Sequence, residues 1–317
     1  MTTALIFGAT GQDGQLLADK LIRNGYSVIG IARTVSNLQK NPLNLLRPKV
    51  ILGNILDGDY VLGVINVFKP EIIYNLSGQS SVAKSYLDPV NTIHVNSLGI
   101  LNVLEAIRKI NQGNRTRVFQ ASSSEMFGSS NFPLSEQSNF HPISPYAISK
   151  YLAHRICVEY REKNNVFVST GIMFNHESEL HGENFVFQKV IRSLVRIKQG
   201  KENNLKLGNL NIERDWGYAG DYVDAMVKVM EHNDSSDYVI ATGKSYTLKN
   251  LIEEVTKILG INKTIEELVK IDRKLLRPND IAKSVGNPTK IKNEVSWESS
   301  IEFTELVSKI IEFNLRE

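Results

Sequence analysis

Apolar positions fall into two alternating rhythms along the first half of the chain. Residues 4–7 (ALIF) form a run of strand length, and beyond a glycine-rich turn QLLADKLIRNGY carries its apolar residues at helical spacing. The alternation then repeats. A second strand is expected at Ser27–Ile31, an apolar segment at Val50–Asp57, a helix-like VLGVINVF, a strand at Glu71–Gly78, a long amphipathic helix from Pro89 through Arg108, the strand RVFQAS, a helix around Tyr146 and a strand at Phe167–Phe174. Strands alternating with helices at this spacing predict a parallel sheet covered on both faces.

The second half is less regular. Residues 183–200 read as a helix, short strands precede another helix starting near Asp221, and DYVIATG (237–243) looks like one more strand. Two helical patterns, LKNLIEEVTKILG and FTELVSKIIEFNL, flank the loop LLRPNDIAKSVGNPTK. No repeat or flexible linker divides the chain. The expectation is therefore an α/β protein. Residues 1–174 form a Rossmann-like doubly wound domain to which strand 237–243 returns, and 175–317 form a smaller, interleaved substrate-binding region.

The totals narrow the class. The 317 residues, 42% hydrophobic and 22% charged, suit a large globular core. A net charge of +3, from scattered residues, does not point to nucleic acid. The single cysteine, Cys157, excludes an internal disulfide and a cysteine-built metal site, and suits a reducing cytoplasm. No apolar run approaches the roughly 18 residues of a membrane span, and the N-terminus has no secretory pattern. The expected protein is cytoplasmic, with neither membrane nor nucleic-acid partner and no metal.

Candidate chemistry begins in the turn after the first strand. Gly8, Gly11 and Gly14 stand between strand and helix, the context in which a G-x-x-G-x-x-G run binds a dinucleotide: a tight turn, close approach to the pyrophosphate and close helix packing. Arg33, just past the second strand and with no acid beside it, favours a 2′-phosphate and hence NADP. Small residues at Ser77 and Gly78 leave room for a cofactor at the end of the fourth strand. Tyr146 and Lys150, at i and i+4, share a helix face, and a lysine held there is expected to lower the phenol's pKa and ready it for proton transfer.

These stretches together resemble the GDP-mannose 4,6-dehydratases among the extended short-chain dehydrogenase/reductases. The likeness runs through GATGQDG (8–14), YNLSGQSSV (74–82), FQASSSEMFG (119–128), SPYAISK (144–150), GIMFNHES (171–178), LGNLNIERDWGYAGDYVDAM (207–226) and RPNDIAKSVGNPTK (277–290). The resemblance implies that Ser123, Glu125, Tyr146 and Lys150 are catalytic. It places the cofactor against the glycines with Gln12, Asp13, Asn54, Ile55, Leu76 and Ser77, and the nucleotide sugar against Ser80, Asn175, Lys189, Arg214 and Arg277. The implied reaction converts a GDP-sugar to its 4-keto-6-deoxy product plus water, using tightly bound NADP in an internal hydride cycle. The alternative is an NADPH-dependent 4-reductase or epimerase of the same superfamily. A third class, a nonenzymatic nucleotide sensor, predicts a defective Tyr-Lys pair, and the pair is intact.

The departures are informative. Glu179-Leu180-His181 stand where the resemblance would bring two arginines tied to cofactor binding and tetramers, Asn54-Ile55 replace an acid-hydrophobic pair and Ser81 a histidine. They suggest altered sugar specificity, such as a GDP-heptose in place of GDP-mannose, and a homodimer before a tetramer. His176 is read as a hydrogen-bonding support, Asp221 as a helix cap, and Trp216 and Trp297 as packing residues.

Overall fold

The computed structural model describes every residue except 36, 37, 39–41, 111–115, 131, 277, 278 and 317. The first half alternates as the pattern requires: β1 (Thr3–Phe7), α1 (Gln12–Arg23), β2 (Ser27–Ala32), β3 (Lys49–Leu52), α2 (Gly58–Phe68) and β4 (Ile72–Asn75). Two short helices, α3 (Val82–Leu87) and α4 (Pro89–Ile93), then lead into α5 (Gly99–Lys109), β5 (Arg117–Ser123), α6 (Pro145–Asn164) and β6 (Val168–Met173). The expected long helix from Pro89 is interrupted by a π-helical turn at His94–Leu98. The Ser97 hydroxyl donates to the Ile93 carbonyl at 2.5 Å there, and Asn96 is buried with its amide turned toward α6.

In the second half come β7 (Asn175–Glu177), α7 (Val186–Lys198), β8 (Leu205–Leu207), β9 (Glu213–Arg214), β10 (Trp216–Tyr218), α8 (Ala219–Glu231) and β11 (Asp237–Ile240). They are followed by β12 (Tyr246–Thr247), α9 (Leu248–Leu259), α10 (Ile265–Leu268), β13 (Val269–Ile271), β14 (Lys283–Ser284), α11 (Thr289–Val295) and α12 (Phe303–Arg316). No described helix is long and apolar enough to cross a membrane.

Among the described residues, seven strands form one sheet in the order β11-β6-β5-β4-β1-β2-β3, every pair parallel. The chain builds outward one way from β1 and the other way from β4, so a crevice opens where their carboxyl ends diverge. Phe7 pairs with Asn75 at that point, and Gly8 and Leu76 are the next residues. Both faces are covered. On one, Leu17 and Leu21 of α1 share a core with Met226 and Met230 of α8 and with Tyr238, Ile291 and Trp297. On the other, Ile65, Val103, Leu104 and Cys157 pack against Leu5, Ile29 and Val118. Helices α8 and α11 thus return to the sheet along with β11. A separate core joins α7, α9 and α12 around Phe187, Leu251, Val255, Leu306 and Ile310.

Asp221 does not cap α8, where Tyr218 stands at the N-cap without a side-chain hydrogen bond. It lies inside the first turn, only 8% exposed, and its carboxylate accepts from the Ser300 and Ile301 amides at 2.8 and 2.9 Å and from the Ser299 and Ser300 hydroxyls at 3.1 and 2.8 Å. The segment leading into α12 is thereby fixed to the sheet. Asp221→Ala removes four bonds to a buried anion and leaves two amides without acceptors, which should cost on the order of 2–4 kcal/mol. A thermal unfolding midpoint unchanged from wild type would show that these bonds hold nothing together.

Candidate active site

A cleft of about 910 Å³ lies over the carboxyl end of the sheet, between β1 and β4 on one side and β7, α7 and β10 on the other. The glycine turn forms its floor. Gly8 has φ +87°, and a Cβ built on it would lie 2.7 Å from the Leu76 carbonyl carbon; one on Gly14 would lie 2.3 Å from the Gly8 oxygen. Both obstacles are backbone, so these positions demand glycine. Gly11 caps α1 with no side-chain hydrogen bond, which leaves the helix's first amides and its positive dipole end for an anion. The turn therefore fits the pyrophosphate of a dinucleotide.

The catalytic candidates converge on this floor. Ser123, Glu125, Tyr146 and Lys150 all line the cleft. Ser123 ends β5 and caps a short 3-10 turn, its Oγ accepting from the Glu125 amide at 3.2 Å, and it also hydrogen-bonds the Tyr146 phenol. Glu125 sits one residue inside that turn, so the local S-x-E geometry both caps the turn and carries the acid to the cleft. Ser144 caps α6 ahead of Pro145 and so sets the rotation that turns Tyr146 and Lys150 to the same side.

The expectation that Lys150 lowers the phenol's pKa is not met. Burial pushes Tyr146 up to about 12, with Glu125 and Asp13 adding to the rise and Ser123 opposing it. Burial likewise pushes Lys150 down to about 8. The reason is geometric: the ammonium donates to the Ala121 carbonyl at 3.0 Å and stands 5.9 Å from the phenol ring's centre. Lys150 is thus anchored to β5, and Tyr146 rests as the neutral phenol.

Of the other expected contacts, Gly8, Gly11, Gln12, Asp13, Gly14, Leu76, Ser80, Asn175 and Arg214 line the cleft. Five do not. Ile55 is 6% exposed in the core against Gly99, and Asn54 accepts from the Leu56 amide at 3.1 Å as a local turn. Ser77 donates to Asn75 at 2.6 Å. Arg33 is exposed just beyond β2. Lys189 is absent from the lining, its pKa lowered by burial, with Lys206 adding to the fall and Asp272 opposing it. Arg277 lies outside the described residues. Arg214 reaches the cleft but is 5% exposed, its guanidinium donating to the Ile281 carbonyl at 2.6 Å and pairing with Asp280 at 3.2 Å.

Several residues were missed in the sequence. Arg192, one turn beyond Lys189, lines the cleft and pairs with Glu183 at 3.2 Å. Asn96 donates to the Gln79 carbonyl at 3.0 Å and to Ser149 at 2.9 Å, and accepts from the Gln79 amide at 2.8 Å, joining the Ser80 loop to α6. A polar residue on an otherwise apolar helical face was the available signal. Glu179, in the divergent loop, is 7% exposed and lines the cleft, 3.9 Å from Lys309.

His176 is the support it was expected to be. Its Nδ1 donates to the Phe174 carbonyl at 2.7 Å, its Nε2 lies 3.0 Å from the Asp13 carboxylate, and its ring stacks on Tyr222 at 4.6 Å. Two acceptors on two ring nitrogens require imidazolium.

The comparisons with known proteins now decide the family. The family model described as GDP-mannose 4,6 dehydratase matches residues 5–310. The chain belongs to the GDP-mannose 4,6-dehydratase family. Among its curated relatives, GDP-mannose 4,6 dehydratase 1 of Arabidopsis thaliana is 40% identical, the match covering 98% of this chain and 89% of that one. The human GDP-mannose 4,6 dehydratase is 36% identical over 97% of this chain and 90% of its own. Among solved structures, a Thermotoga maritima UDP-glucose 4-epimerase with UDP-glucose superposes at TM-score 0.85, with 25% identity and 99% of both chains covered. A Bacillus anthracis dTDP-glucose 4,6-dehydratase in complex with NAD gives 0.85 at 20% identity, covering 100% of this chain and 97% of that one.

For this family member the His176 pair sets a pH dependence. Burial opposes the charge on His176, yet the Asp13 carboxylate raises its pKa to about 9, and His176 in turn lowers that of Asp13 against its own burial. A raised histidine contributes stability that is complete below its unfolded value near 6.5 and is lost as pH rises through about 9. Stability should therefore fall over that window with a slope of up to ~1.4 kcal/mol per pH unit. The slope should vanish in His176→Gln, as denaturant titrations across the window would read.

Proposed function

We propose that the chain is a GDP-sugar 4,6-dehydratase that works with NADP. The observation that carries the reading is Glu125: a carboxylate in the same cleft as Ser123, Tyr146 and Lys150, near enough to Tyr146 to raise its pKa. A simple reductase has no step that calls for a carboxylate there.

The glycine turn with Tyr146 and Lys150 would hold the dinucleotide, whose nicotinamide would supply a hydride acceptor for C4, a hydride donor for C6 and, when oxidised, a positive charge that favours phenolate. Tyr146 takes the proton of the O4 hydroxyl, and Ser123 hydrogen-bonds that oxygen. The C4 ketone acidifies the C5 proton, which Glu125 removes before protonating the departing C6 hydroxyl, so that water leaves; once C6 is reduced, C5 takes the proton that Tyr146 drew from O4, and protons and electrons balance. Lys150, held to Ala121, fixes the phenol's side of the site. The preference for NADP is supported by Arg33, exposed beyond β2 where no acid stands to bind a free ribose 2′-hydroxyl. Residues 1–174 with β11 would hold the cofactor and the later elements the nucleotide sugar. Asn175, Arg192, Arg214 and Arg277 supply the groups suited to a diphosphate.

The assembly that fits this surface is a homodimer. Val90, Leu98, Ile148 and Leu152 are 64%, 40%, 47% and 42% exposed on α4, the π-turn and α6, which pack against one another. A second copy of the same face would cover them. Leu152→Asp should convert the dimer to monomer in light scattering; a wild type that already runs as monomer overturns this assignment.

The reaction is tested with a panel of GDP-mannose and GDP-heptoses, without added reductant. A product lighter by one water, read by mass spectrometry, is expected. Turnover only when NADPH is supplied in stoichiometric amount would make the chain a reductase instead. Glu125→Gln should lower kcat by about 10²- to 10⁴-fold, and unchanged turnover would remove Glu125 from the chemistry.

A further inference from the structure

The glycine turn that fits a pyrophosphate also contains an acid. Asp13 lies in the first turn of α1 and lines the cleft, and its charge raises the pKa of both Tyr146 and Lys150. Left alone, that carboxylate would repel the diphosphate that the helix end attracts. What offsets it comes from the opposite wall of the cleft. His176, on β7 beside Asn175, places Nε2 3.0 Å from Asp13 Oδ2, and both side chains are largely buried. The contact is reinforced on either side: Gln12 Nε2 donates to the His176 carbonyl at 3.3 Å, and the Ser178 hydroxyl donates to Gln12 Oε1 at 2.8 Å. The other titratable groups facing the pair are Glu177, which acts on His176, and His181 and the Lys150 ammonium, which face Asp13.

Gln12 and Asp13 were assigned to the cofactor by resemblance. Both line the cleft, and their side chains also bind the 176–178 segment. We propose that His176 is a positioning residue: it neutralises Asp13 so that the glycine turn accepts a dinucleotide diphosphate, and it ties that turn to the strand carrying Asn175. The inference rests on the dinucleotide reading of the cleft given above. It separates charge from shape, because removing the cation and removing the anion have opposite consequences. His176→Gln leaves a buried carboxylate facing the phosphates. Asp13→Asn removes both the carboxylate and what holds the charge on His176, so no buried anion faces the phosphates.

The experiment is a double-mutant cycle on NADP⁺ affinity, measured by calorimetry on wild type, H176Q, D13N and D13N/H176Q, with thermal midpoints recorded alongside. H176Q should weaken NADP⁺ at least tenfold, D13N should bind within threefold of wild type or tighter, and the double variant should recover most of the loss. That rescue is a result a packing role does not give. If H176Q does not fold, H176N takes its place, and D13N alone still tests the sign: a tenfold loss in D13N overturns the proposal. Equal weakness of H176Q and the double variant also overturns it. If wild type fails to bind NADP⁺ but binds NAD⁺, the cycle is read with NAD⁺ and only the cofactor preference falls. If wild type binds neither, the dinucleotide reading and this proposal fall together.

Discussion

The approach of two backbones at the glycine turn constrains everything built above it. Gly14 packs against the Gly8 carbonyl, and Gly8 packs against the Leu76–Ser77 peptide, at distances where no side chain could stand. Helix α1 can therefore start directly beneath the crevice between β1 and β4, with its amide end at the site. Without that closeness the cleft would have no floor for a charged ligand.

Above the floor, the catalytic side chains are held by polar groups that have few alternatives. Ser123 closes a turn with its own hydroxyl, Lys150 is bonded to Ala121, and Asn96 stitches the Gln79 loop to Ser149 one residue before the lysine. Buried and satisfied, such a network resists rearrangement because each broken bond leaves a partner without water. The π-turn at His94–Leu98 belongs to the same logic. It is a local departure from helical economy that turns Asn96 inward.

The sheet was legible because its signal is local: apolar runs of strand length, helical spacing between them, and glycines at the junction. The convergence of Ser123, Glu125, Tyr146 and Lys150 was legible for a similar reason, since all four lie within one strand-turn-helix passage. What the sequence hid were relations between distant stretches. Asp13 and His176 are 163 positions apart, so a residue assigned to the cofactor turned out to grip the opposite wall. Ile55 was assigned by resemblance, and its side chain lies in the core against Gly99. The direction of the Tyr146 shift was missed because i, i+4 spacing says that two groups share a face, whereas desolvation depends on how deeply that face is covered. Asp221 was read as a cap from its place at a helix start, but its partners come from 78 to 80 residues further on.

The two tryptophans sit in different worlds. Trp297 is sealed against Tyr222, with its indole N–H donating to the Asp221 carbonyl. Trp216 is just as buried, yet it lines the cleft along with Arg214. Of the two tryptophans, one is thus enclosed by the core and the other stands at the chamber wall, so that Trp216 is the indole placed where its emission would respond to a ligand.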